Sequence, residues 1–216
     1  MDPTTPPATR SRPRTDADRG LAGILLSNAL TLGVALWQQW SVLDLLWPFF
    51  IQSLIIGWYA RRRLLLAPHL DVGGLKINGR QVTDPEAARR VLGWFFPLHY
   101  GFFHLVYAVF LLVEGARLGG QGGIRWPFYA VLALSFWIAH RASHREHLAA
   151  DTAGPRNAGV LMFMPYLRVV PMHLALIVMA NLDPGRHGLA FVAMFMAMKT
   201  AADAGMHIVE HRILRR

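Results

Sequence analysis

Long apolar runs closed by basic residues constrain this chain more than any other feature. The run at 42–60 ends on Arg61-Arg62-Arg63, and the run at 91–113 follows Arg89-Arg90. An α-helix rises about 1.5 Å per residue, so about 20 apolar residues cross the hydrocarbon of a bilayer. Six such segments can be read, at about 21–37, 42–60, 91–113, 124–139, 158–180 and 189–209. The expected fold is all-α, a polytopic membrane helix bundle with six transmembrane helices. It forms one domain over 21–212 behind a Pro- and Arg-rich stretch, 1–20, expected to be a disordered tail.

Charge placement then orients the bundle. The segments 1–20, 61–90, 140–157 and 212–216 carry four, seven, three and three Lys or Arg, against Arg117, Arg125 and Arg186 in the opposite loops. The positive-inside bias puts both termini in the cytoplasm. The net charge of +9 is thus spread over segment ends, which argues against a nucleic-acid partner. With no cysteine, disulfides and thiolate metal sites are excluded.

Local signals fill in the connections. Residues 75–82 read as a small hairpin with Asn78-Gly79 in a type I′ turn. Asp84 is an N-cap, Pro85 suits the first helical position, and Thr83 with Glu86 has capping-box spacing. Pro165 and Pro171 are expected to interrupt the fifth span and to free carbonyls toward a cavity.

The chemistry-bearing stretch is the last apolar run, where Lys199, Asp203, His207 and His211 recur every four residues on one helical stripe. Ionisable groups are costly at bilayer depth and are functional candidates by default. Counted at 1.5 Å per residue, Asp203 and His207 share the cytoplasmic half with His99 and His104, and Arg168 and His173 lie within span five. A metal centre could draw on Asp203, His207 and His211 with His99, His104 or His173; zinc takes such ligands, and iron is the other candidate. His207-x-x-Glu210-His211 also matches the inverted zinc-peptidase pattern, without the protease domain that should surround it. Against the metal stands a structural ion pair of Lys199 with Asp203, or a proton pathway. His140, His144 and His147 resemble one histidine box of membrane di-iron enzymes, but the further boxes which that chemistry needs are missing.

Several segments taken together carry a family likeness. They are the run Phe49 to Gly57, Phe95-Phe96-Pro97-Leu98-His99-Tyr100-Gly101-Phe102-Phe103-His104, Ser143-His144, Pro165-Tyr166-Leu167-Arg168-Val169-Val170-Pro171-Met172-His173, and Lys199-x3-Asp203-x3-His207-x2-Glu210-His211. Over about residues 24–212 the chain resembles an uncharacterised, domain-of-unknown-function family of prokaryotic six-span integral membrane proteins. The resemblance implies an inner (plasma) membrane location and no particular reaction. A looser chemical likeness is to intramembrane zinc hydrolases of the adiponectin-receptor and ceramidase type.

The function expected is a metal-dependent intramembrane hydrolase acting on a lipid or other membrane-soluble substrate. Arg168 would hold an anionic head group, Lys199 would stabilise oxyanion charge and Tyr100 would orient the substrate, with His144, Tyr166 and Glu210 supporting the ligands. The alternatives are a small transporter or proton-coupled carrier, which at this length would be a homo-oligomer, and a structural or assembly subunit. Membrane lipids are the expected partners in every case.

Overall fold

The computed structural model describes residues 14–117, 126–181 and 184–213. Its elements are α1 (Arg14–Trp37), α2 (Val42–Leu66), β1 (Leu70–Asp71), β2 (Lys76–Ile77), β3 (Arg80–Gln81), α3 (Pro85–Arg117), α4 (Trp126–Asp151), β4 (Arg156–Asn157), α5 (Ala158–Asn181) and α6 (Pro184–Ile213). The tail before residue 14, residues 118–125 in the Gly-rich connection between the third and fourth apolar runs, Leu182 and Asp183, and residues 214–216 lie outside the described residues. Where the tail is described, at 14–20, it is already helix and belongs to α1.

Among the described residues the chain is mostly helix, with two small pairs of strands in its connections. Four helices, α2, α3, α5 and α6, contain stretches long and apolar enough to cross a membrane. On α3 the exposed residues Trp94, Leu98, Phe102, Leu105, Val109 and Leu112 recur at three- and four-residue steps and form one outward apolar face. Leu98 and Trp94 are each 70% exposed, an unfavourable surface for a water-facing helix and a natural one for a lipid-facing helix.

Helix α2 is the axis of the bundle and packs against α3, α4, α5 and α6, while α1 lies along α6. Leu43, Leu46, Leu111, Phe195 and Met196 fill the interior. At its start Ser41 accepts from the Asp44 amide at 3.2 Å while Asp44 accepts from the Ser41 amide at 3.0 Å, a reciprocal capping box. The opposite end leaves orphan carbonyls, and Arg89 of α3 collects three of them, Leu64, Leu65 and Ala67, at 2.7 to 3.2 Å. Helices α2 and α3 approach closely at Gly57, where any Cβ would overlap the Tyr100 ring.

The hairpin forms as its sequence predicts: β2 and β3 pair antiparallel, and Asn78 and Gly79 take φ of 51° and 77°, the positive values a type I′ turn requires. Asp84 accepts from the Glu86 amide at 2.9 Å and starts α3. A feature not foreseen is the parallel pairing of β1 with β4, Leu70 opposite Arg156, which ties the connection after α2 to the one before α5. The expected break in span five does not occur. Helix α5 runs unbroken through Pro165 and Pro171, because a helix tolerates the loss of single bonds when neighbouring turns and packed helices hold it.

Candidate functional site

The strand-bearing end of the bundle holds a cavity of about 550 Å³ walled by α2, α4 and α5 and touched by Met206 of α6. Its apolar lining includes Ile56, Ala60, Ala139, Val160, Leu161 and Met164, and its polar lining is mostly basic: Arg63, Arg156, Arg168, His140, His144 and His147.

The outer rim is built on one carboxylate. Asp151, fully buried at the end of α4, takes both Nε and Nη2 of Arg63 at 2.7 Å and Nε of Arg156 at 2.7 Å. Burial opposes ionisation of Asp151, but the two guanidinium groups outweigh it and hold the carboxyl below its usual range. Arg156 also donates to the Ala150 carbonyl at 2.8 Å, and its amide donates to the His69 carbonyl at 2.9 Å. The next residue, Asn157, caps α5 by accepting from the Val160 amide at 3.1 Å, while its side-chain amide reaches Asp71 at 3.3 Å. Three connections are thereby fastened at one rim.

Within the cavity, His144 is only 8% exposed, packs its ring on Tyr59 at 5.1 Å, and leaves Nε2 without a hydrogen-bond partner. Burial lowers its pKa, and Arg62 and Arg63 add repulsion, so its ring is neutral near pH 7. Ser143 and His140 stand beside it on α4. Across from them, among the described residues, Arg168 of α5 makes a single hydrogen bond, Nε to the Met206 sulfur at 3.3 Å, and pairs with no carboxylate.

Most other residues singled out from sequence are engaged elsewhere. Lys199 forms an ion pair with Asp203, donates to Asn28 of α1 at 2.8 Å and lies 4.9 Å from the Phe49 ring centre. His104 is buried between α2 and α3; its Nδ1 meets the Tyr100 carbonyl at 2.8 Å and its Nε2 meets Ser53 Oγ at 2.8 Å. A carbonyl only accepts, so Nδ1 carries a proton and donates to it. Tyr100 closes this network by donating to the Ser53 carbonyl at 2.9 Å. His99 pairs with Tyr166 at 2.9 Å, and His173 with Tyr107 at 3.0 Å.

The metal centre read from sequence is not assembled by these side chains: among the described residues no three His, Asp or Glu groups are arranged so that they could hold a metal ion. The side chains of His207, Glu210 and His211 lie outside the described residues, although their backbone belongs to α6. Of the residues given a role from sequence, the cavity gathers Arg168 and His144; it adds His140, Ser143, Arg63 and Arg156. Arg63 carried a signal as part of a basic cluster. Asp151 and Ser53 carried none, because their partners are distant in sequence.

Fold and site together define a helical membrane-type protein with, among the described residues, four helices long and apolar enough to cross a membrane and, at one end, a mostly apolar cavity whose polar side chains are largely basic. The chain belongs to DUF6498, a family of unknown function whose model matches residues 10–216. No curated protein and no solved structure matches it.

Proposed function

We propose that this chain is an integral membrane protein that binds an anionic ligand in the cavity between α2, α4 and α5. The observation that carries the reading is Arg168, a half-buried guanidinium facing a cavity and lacking a carboxylate among the described residues. Such a charge is costly to enclose unless an anion completes it. The positive charge of the connections 61–90 and 140–157 supports a cytoplasmic side for the cavity and for both termini.

Thermal unfolding of the purified full-length protein tests this. Anionic amphiphiles should raise the unfolding temperature, cationic and neutral ones of equal chain length should not, and Arg168→Ala should remove the effect. Stabilisation that ignores ligand charge, or survives in Arg168→Ala, contradicts the reading.

A second reading, metal-assisted hydrolysis of the bound ligand, is favoured by one placement. Met206 lines the cavity, and His207, the next residue of α6, is one turn beyond Asp203. Zinc in the purified protein that is lost in His207→Ala supports it. A protein free of transition metal in both forms argues against it.

A further inference from the structure

We infer that the ligand is an amphiphile with a phosphate head group, entering the cavity sideways between α4 and α5; this rests on the anion-binding reading above. The lining is rich in donors and poor in free acceptors. Arg63 spends Nε and Nη2 on Asp151, and Arg156 spends Nε on Asp151 and Nη2 on the Ala150 carbonyl, so each keeps Nη1 uncommitted. Among the described residues, nothing bonds the two terminal amino groups of Arg168, and Asp71, the one carboxylate on the lining, is occupied by the Gly73 amide at 2.8 Å and by Asn157. On the facing wall the enclosed Nε2 of His144 has no partner, and its ring is more than nine-tenths buried.

Arg63 of α2, Arg156 of β4 and Arg168 within α5 thus line one cavity with donors to spare, and His144 of α4 adds another in its Nε2–H tautomer. A carboxylate offers two oxygens in one plane and suits a single fork, whereas a phosphate presents oxygens tetrahedrally and takes donors from several walls at once. Size and lining indicate the remainder of the molecule. A cavity of about 550 Å³ lies within the roughly 300–1,000 Å³ of pockets that enclose organic ligands, far beyond what a free phosphate fills. Ile56, Val160, Leu161 and Met164 offer the surplus volume an apolar surface suited to an acyl chain.

Packing indicates the door. Helix α5 is held by α2, α3 and α6, but α4 rests on α2 with no comparable packing against α5 among the described residues. Helices α4 and α5, two of the three that wall the cavity, thus flank a loosely packed seam, and both carry outward apolar side chains, Trp137 and Phe163 among them. A lipid can part this seam without breaking the core between α2, α3 and α5.

The test is native mass spectrometry of the full chain released from detergent. The probe is a short-chain phosphatidic acid, compared with the fatty acid and the diacylglycerol of equal chain length and with glycerol phosphate. Phosphatidic acid should be retained well above the fatty acid, the diacylglycerol should not be retained, and excess glycerol phosphate should fail to displace phosphatidic acid. Arg168→Ala should weaken retention roughly tenfold or more, the loss of one charge-assisted fork. Arg168→Lys, which keeps charge without the fork, should weaken it less, and equal unfolding temperatures exclude misfolding as the cause. Equal retention of fatty acid and phosphatidic acid overturns the head-group assignment. Binding of glycerol phosphate without any lipid overturns the amphiphile and leaves the anion-binding reading standing. Failure of every anion to bind overturns both.

Discussion

Asp151 shows how much one enclosed charge can organise. Its carboxylate joins the end of α2, the end of α4 and the start of α5 through Arg63 and Arg156, with no exposed surface of its own. Asp151→Asn leaves two arginines facing a neutral amide and should cost about 3–5 kcal/mol, read as a lowered unfolding temperature. The pH dependence follows from the depressed pKa. The carboxyl binds its proton less readily in the folded chain, so its stabilisation is present above the ordinary value of 3.8 and is lost as pH falls through the lower folded value. The gap between wild type and Asp151→Asn should therefore be constant near neutrality and shrink only in acid. A gap that narrows near pH 6 would contradict the assignment. At the other polar cluster, Asp203→Asn strands Lys199 and should destabilise the protein, whereas replacing both by Met should recover most of the loss. None of this cross-linking was legible in the sequence for Asp151. It stands alone in an Ala-rich turn, and Arg63 is 88 residues away.

At the scale of elements, the contact of α2 with α3 depends on a missing side chain. Gly57→Ala pushes the Tyr100 ring off α2 and should cost about 1–3 kcal/mol despite the better helix propensity of alanine. Combined with Tyr100→Ala the same change should cost little, and an additive double mutant would refute the contact. The end of α2 offers a second check. Arg89→Met uncovers the carbonyls of Leu64, Leu65 and Ala67, so hydrogen exchange should quicken in the last turn of α2 and stay unchanged at its centre. Elements with strong local chemistry were legible: Asn78-Gly79 can hardly avoid a turn with positive φ, and Asp84-Pro85 marks the start of α3. Proline was misleading in α5, where tertiary packing overrode a local breaking signal.

For the whole molecule, helical rise gives each polar residue a level along the bundle, but not the side of its helix it occupies. That is why the sequence brought His99, His104, His173 and Asp203 to one expected centre, and why the structure disperses them. His99 and His173 turn to tyrosines at the α3–α5 contact, His104 turns to Ser53, and Asp203 turns to α1. Arg168 and His144 were readable as site residues because a charge inside an apolar run, or an imidazole at its mouth, needs a reason wherever it points. Their shared cavity was not readable, since it depends on α4 leaning on α2 rather than on α5. The most direct test is photo-crosslinking with an anionic amphiphile that carries a diazirine on its chain, mapped by peptide mass spectrometry. The account predicts labels concentrated on Ile56, Leu161 and Met164 and lost in Arg168→Ala. Labels spread over the outer face of α3, at Leu98 and Phe102, and indifferent to Arg168 would contradict it.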